Sequence, residues 1–92
     1  SCELRVDISF YQIDILDTKI IDLLNDRKNI VEEIGHFKNK NKLTIFQIER
    51  WFDILKTRKE NAKNLGIDEQ MIAELFELIH KYSILTQTKI MR

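Results

Sequence analysis

The apolar positions between Ile13 and Lys38 step by three and four: Ile13, Leu16, Ile20 and Leu23, then Ile30, Ile34 and Phe37. That period predicts one long amphipathic helix, with Arg27 interrupting the apolar seam. Ser9 followed three residues on by Gln12 has the spacing of a capping box, which places the helix start near Phe10. Residues 1–8 carry no helical period and are expected to form a loose arm. Gly35 falls inside the pattern, where glycine costs about 1 kcal/mol relative to alanine. Either another backbone passes close by or the helix bends, and close approach is the expectation.

The run Asn39, Lys40, Asn41, Lys42 has no apolar anchor and reads as the first loop, its lysines solvated. Thr44 with Gln47 repeats the capping-box spacing. Ile48, Trp51, Phe52, Leu55, Ala62 and Leu65 then form a second stripe that ends at Gly66, so the second helix is expected over Ile45–Leu65. Asp68 caps a third helix, with Ile67 and Ile72 placed as a hydrophobic staple. Its stripe runs through Leu75, Phe76, Ile79, Tyr82, Ser83, Thr86 and Ile90. A first helix of about 28 residues would reach about 42 Å, against about 32 Å for the other two. One chain cannot cover that first stripe alone, so an obligate homodimer with a shared core is expected.

Composition narrows the class. Two glycines and no proline leave nothing for the tight turns of sheets, so the chain reads as a single all-helical domain of 92 residues. Fifteen basic residues balance fifteen acidic ones, which gives no net field to gather nucleic acid or an anionic membrane. No stretch reaches the ~18 apolar residues of a membrane span. Cys2, the one cysteine, cannot form an internal disulfide, and the basic-then-apolar pattern of a signal peptide is missing, so a cytoplasmic location is the default expectation.

Five polar side chains fall on or beside the predicted buried faces: Arg27 and Lys38 on the first helix, Arg50 early in the second, Ser83 and Gln87 on the third. Lys38 is eleven residues beyond Arg27. On an ideal helix the two point about 20° apart and lie about 16 Å apart along the axis, a gap two long side chains can close around a small anion. Ser83 and Gln87 are i and i+4, hence neighbours on one face. An unpaired buried cation is costly, so the missing counter-charge points to a ligand bearing carboxylates. The blander readings stay open: Arg27 paired across the dimer with Asp26 or Glu33, Arg50 in a surface ion pair beside Glu49, and Ser83 bonded back to its own helix. His36 and His80 lack any metal-ligand spacing and read as surface residues. No nucleophile, catalytic dyad or phosphate loop occurs, and no metal or cofactor is called for. Chemistry at such a site would rest on positioning and electrostatics.

With LDTKIIDLLNDRKNIVEEIGHFK in the first helix, IERW in the second and LFELIHKYSILTQ in the third, the chain resembles the all-helical class of chorismate mutases over nearly its whole length. The most specific pieces are Leu16-Asp17 with Arg27 ten residues after the aspartate, Gly35-x-x-Lys38, and Ser83-Ile84-Leu85-Thr86-Gln87. The resemblance implies an intertwined dimer of three-helix chains that converts chorismate to prephenate by a Claisen rearrangement, a step of aromatic amino acid biosynthesis in the shikimate pathway. Carried onto this sequence, Arg27 and Lys38 hold the substrate carboxylates. Lys38 and Gln87 donate to the ether oxygen, Ser83 assists a carboxylate, and Arg50 lines the ring-hydroxyl end.

Three positions depart from the family pattern. Phe10 stands where the partner chain's arginine is expected, Trp51 where a glutamate accepts the ring hydroxyl, and Gln47 where an aspartate precedes Arg50 by three residues. Losing a buried cation that grips a carboxylate costs about 2–5 kcal/mol, which implies a slower mutase. Isochorismate pyruvate lyase, which shares the fold and has an apolar residue at the Trp51 position, is one alternative, and a mutase acting on a modified chorismate is another. A third, from a different class, is a non-catalytic dimerisation or regulatory module.

Overall fold

The computed structural model describes residues 2–92. They form three helices, α1 (Cys2–Asn41), α2 (Ile48–Leu65) and α3 (Glu69–Ile90), and no strand occurs among the described residues. The all-helical expectation holds. The chain divides into two compact units, the first ending at Ile30 and the second spanning Val31–Arg92.

The first unit is a single run of α1. Residues 2–8, expected as a loose arm, are helical, while Ser1 lies outside the described residues. Ser9 does not cap: its hydroxyl donates to the Arg5 carbonyl at 3.0 Å, a back-bond one turn down a continuing helix. The physical reason is legible in Leu4, Ile8, Tyr11 and Ile15, which step by four, three and four with no Gly or Pro among them. Every described residue of this unit is exposed except Arg27, which is half-buried.

In the second unit α2 and α3 pack on each other. The core is small: Ile54, at 2% exposure, Ala62 and Val31 are its buried apolar residues, joined by Gly35 and Gln87. The α2–α3 turn follows its sequence signals. Gly66 takes the left-handed conformation (φ 73°), and the Ile67 N–H reaches the Ala62 carbonyl at 2.9 Å. Asp68 accepts from the Met71 N–H at 2.8 Å and caps α3.

The α1–α2 connection does not follow its signals. Asn39 to Asn41, expected in the loop, continue α1, which ends where Lys42 turns to φ 54° and the Leu43 N–H bonds the Lys38 carbonyl at 2.8 Å. α2 starts at Ile48 rather than Ile45, with Gln47 in the N-cap position, extended (φ −121°, ψ 105°) and making no side-chain cap bond. A local contact accounts for the shift: Lys38 Nζ donates to the Ile45 carbonyl at 2.9 Å, holding that carbonyl in the loop rather than in a helical ladder.

Candidate functional site

α1 enters the second unit at Val31 and brings Gly35 against α3. A Cβ on Gly35 would lie 3.1 Å from Ile90 Cδ1 and 3.4 Å from Gln87 Cα, so the glycine is there because α3 passes close by, as expected. Helical spacing puts Lys38 one turn beyond Gly35. Burial disfavours its ammonium and lowers its pKa from the ordinary 10.5.

Gln87 faces this approach from α3 at 6% exposure. Its Nε2 donates to the Ser83 carbonyl at a long 3.4 Å, and its buried Oε1 has no hydrogen-bond partner. A buried unpartnered amide oxygen costs about 1–3 kcal/mol, which a protein tolerates where a ligand is to be met. Ser83 is half-buried, and its hydroxyl donates to the Ile79 carbonyl at 2.9 Å, the back-bonded arrangement weighed in the sequence analysis.

The loop after α1 links this cluster to α2. While the Ile45 carbonyl accepts from Lys38, the adjacent Phe46 ring meets the His80 ring at 6.1 Å and 58°. His80 in turn stacks on Trp51 of α2, with centroids 4.9 Å apart and planes 23° apart. His80 is thus half-buried, not the surface residue expected, whereas His36 is exposed. The signal was present in the sequence: His80, Ser83 and Gln87 are spaced by three and four, one face of α3.

The remaining candidates are Arg50, Gln47 and Arg27. Arg50 donates to Asp53 at 2.9 Å in an i,i+3 pair with both side chains over half exposed, so its partner is Asp53 rather than Glu49. Gln47 is exposed at the start of α2. Arg27 belongs to the first unit. A groove of about 240 Å³ at the α2–α3 turn, floored by Ala62 and flanked by Arg58 and Phe76, contains none of the expected site residues. No helix of the described residues is long and apolar enough to cross a membrane, and no group of three or more potential metal ligands occurs among them.

A half-buried lysine, a buried glutamine whose amide oxygen has no partner and a half-buried serine are groups that can grip an anion and meet developing negative charge on oxygen; they offer no nucleophile. Comparison with known proteins points the same way. The chain is 35% identical over 81 residues to a bifunctional chorismate mutase/prephenate dehydratase of Buchnera aphidicola from Acyrthosiphon pisum, covering 88% of this chain and 21% of that one. It is 31% identical over 81 residues to the Escherichia coli K12 protein of the same name, with the same coverage. It is 32% identical over 72 residues to the T-protein of Enterobacter agglomerans, covering 78% of this chain and 19% of that one. The chain therefore spans about a fifth of the length of these relatives. No solved structure matches it significantly. The chorismate mutase type II family model matches residues 10–88, and on that match the chain belongs to the chorismate mutase type II family.

Proposed function

We propose that this domain is a chorismate mutase that isomerises chorismate to prephenate without a cofactor, as a homodimer in the cytoplasm. The observation that carries the reading is the buried Gln87 amide, packed on Gly35, which is itself one helical turn before the partly desolvated Lys38. The Claisen rearrangement is unimolecular: one carbon–oxygen bond breaks, one carbon–carbon bond forms, and no proton is transferred. Acceleration requires that the reactive conformer be held and that charge growing on the ether oxygen meet preorganised donors.

In this scheme Arg27 and Lys38 hold the two carboxylates, and a second N–H of Lys38 reaches the ether oxygen. Turning the Gln87 amide by 180° gives up its long 3.4 Å bond to the Ser83 carbonyl and brings an N–H donor to the position of its unpartnered oxygen, which completes the pair. Ser83 steadies a carboxylate, and Arg50 with Trp51 borders the ring-hydroxyl end, near the Gln47 cap. A second copy covers the exposed stripe of the first unit. Phe10 supplies no cation and Trp51 no acceptor, so turnover is slower than in a typical family member, and Phe10→Arg is expected to raise it.

Incubating the purified protein separately with chorismate and isochorismate, and identifying the products, tests the reading. Prephenate from chorismate is expected. Pyruvate released from isochorismate without prephenate formation would replace the mutase by a lyase, and no turnover of either would leave a non-catalytic module. Arg27→Ala and Lys38→Ala should each weaken binding of a dicarboxylate transition-state mimic by about a hundredfold with helix content intact. Binding that survives both changes would place the ligand elsewhere.

A further inference from the structure

We infer that His80 contacts the substrate, fixing specificity at the end of the site away from Gln87. The inference rests on the mutase reading above and assigns to this chain the group that recognises the ring hydroxyl. His80 is seven residues before Gln87 on the same face of α3, which sets the two about 10 Å apart along the helix axis, the span of a small cyclic dicarboxylate. Ser83 lies between them. The loop that seats Lys38 through the Ile45 carbonyl also seats His80 through Phe46, so the cation and the imidazole are positioned by consecutive residues.

Two rings fix the imidazole. The stack on Trp51, 4.9 Å and 23°, sets the plane, and Phe46 at 58° meets a second side, so the imidazole is held in one orientation with its Nε2 turned inward, out of solvent. Trp51 itself cannot accept a hydroxyl proton, because an indole carries only a donor. A neutral imidazole has one donor and one acceptor nitrogen and can serve a hydroxyl in either sense. Trp51 therefore acts as a positioning residue, and the polar contact falls to the ring it holds.

The test compares chorismate with an analogue in which hydrogen replaces the ring hydroxyl. The parent is expected to favour chorismate. His80→Phe keeps a ring against Trp51 and deletes both nitrogens; its kcat/KM should fall about tenfold on chorismate while staying within about twofold on the analogue. His80→Gln, which returns a donor and an acceptor, should recover part of the preference for chorismate. Equal losses on both substrates, or no loss on either, would show a packing role and overturn the inference. A parent that turns over both substrates equally overturns this inference and leaves the mutase reading standing, whereas a parent that turns over neither removes the mutase reading first. Matching thermal melts of parent and variants separate misfolding from lost contact.

Discussion

In the first unit, which ends at Ile30, Ile13, Leu16, Ile20 and Leu23 are each between 48% and 66% exposed. In the second, Val31–Arg92, Ile54 is closed off at 2% and even a glutamine is buried. Both are written in the same three-and-four period, so the period alone does not decide burial. A helix satisfies its own backbone, and the first unit is regular for that reason. It has no second element to lie on its apolar seam. The second unit contains its own covering, because α2 and α3 fold back on each other and α1 reaches α3 at Gly35. Regular structure and buried surface are separate achievements, and the first unit has only the former within itself.

The largest expected effect comes from testing what covers the bare seam. Fully burying a Leu or Ile side chain is worth about 1.5–3 kcal/mol, so Leu16→Glu with Ile20→Glu should destabilise a dimer by about 3–6 kcal/mol. Sedimentation of the parent at micromolar concentration should show a dimer and that of the double variant a monomer, with far-UV circular dichroism showing lost helix. A parent that sediments as a stable, folded monomer would end the homodimer proposal.

Gly35, inside the covered unit where α1 meets α3, gives the next effect. In Gly35→Ala the helix gains about 1 kcal/mol of propensity, and the nearest obstacle, Ile90 Cδ1 at 3.1 Å, is the movable end of a side chain. Stability should therefore stay within about 1 kcal/mol of the parent. Gly35→Leu has no such escape past the Gln87 backbone and should cost about 2–3 kcal/mol, the usual price of overpacking. Denaturant melts of both variants settle it; a Leu variant as stable as the Ala variant would mean that the close approach imposes nothing.

Where a local signal coincides with a local interaction, the fold was legible. Gly66 and Asp68 carry their own geometry, and both ends they were assigned are observed. Gly35 was legible because a glycine within a helical pattern needs a reason. Ile54 was missed because Ile48, Phe52 and Leu55 mark a different stripe of α2, and in this chain Ile48 and Phe52 stay exposed while the face through Trp51, Ile54 and Ala62 meets α3. Likewise Leu75 and Tyr82, expected on the buried face of α3, are exposed, and the face turns instead through Ile79, His80 and Gln87. The start of α2 was unreadable, since it depends on a lysine seven residues away holding the Ile45 carbonyl. Type and spacing set Lys38, Ser83 and Gln87 on or beside buried faces, and they are half-buried or buried, whereas His80, read as a surface residue for want of metal-ligand spacing, is half-buried against Trp51 and Phe46.

The smallest effect concerns charge in the covered unit. Burial lowers the Lys38 pKa, so the folded state releases its proton at a lower pH than the unfolded chain, whose value is near 10.5. Below the folded value both states are protonated and the desolvation penalty is fully present. Between that value and 10.5 the unfolded state binds more protons, so this group makes stability rise with pH. Anion binding runs the opposite way, because it needs the ammonium: affinity for a dicarboxylate should fall as pH climbs past the lowered value, before an ordinary lysine would discharge. Lys38→Arg separates the two effects. A guanidinium stays charged across this range, so the alkaline fall in affinity should disappear, even if the different reach toward the Ile45 carbonyl weakens binding by about tenfold at neutral pH. Calorimetric titration of a dicarboxylate from neutral pH to about 10.5 reads this directly. If Lys38→Arg retains the parent's alkaline fall, another group sets it, and Lys38 is held at Ile45 for structure rather than for the ligand.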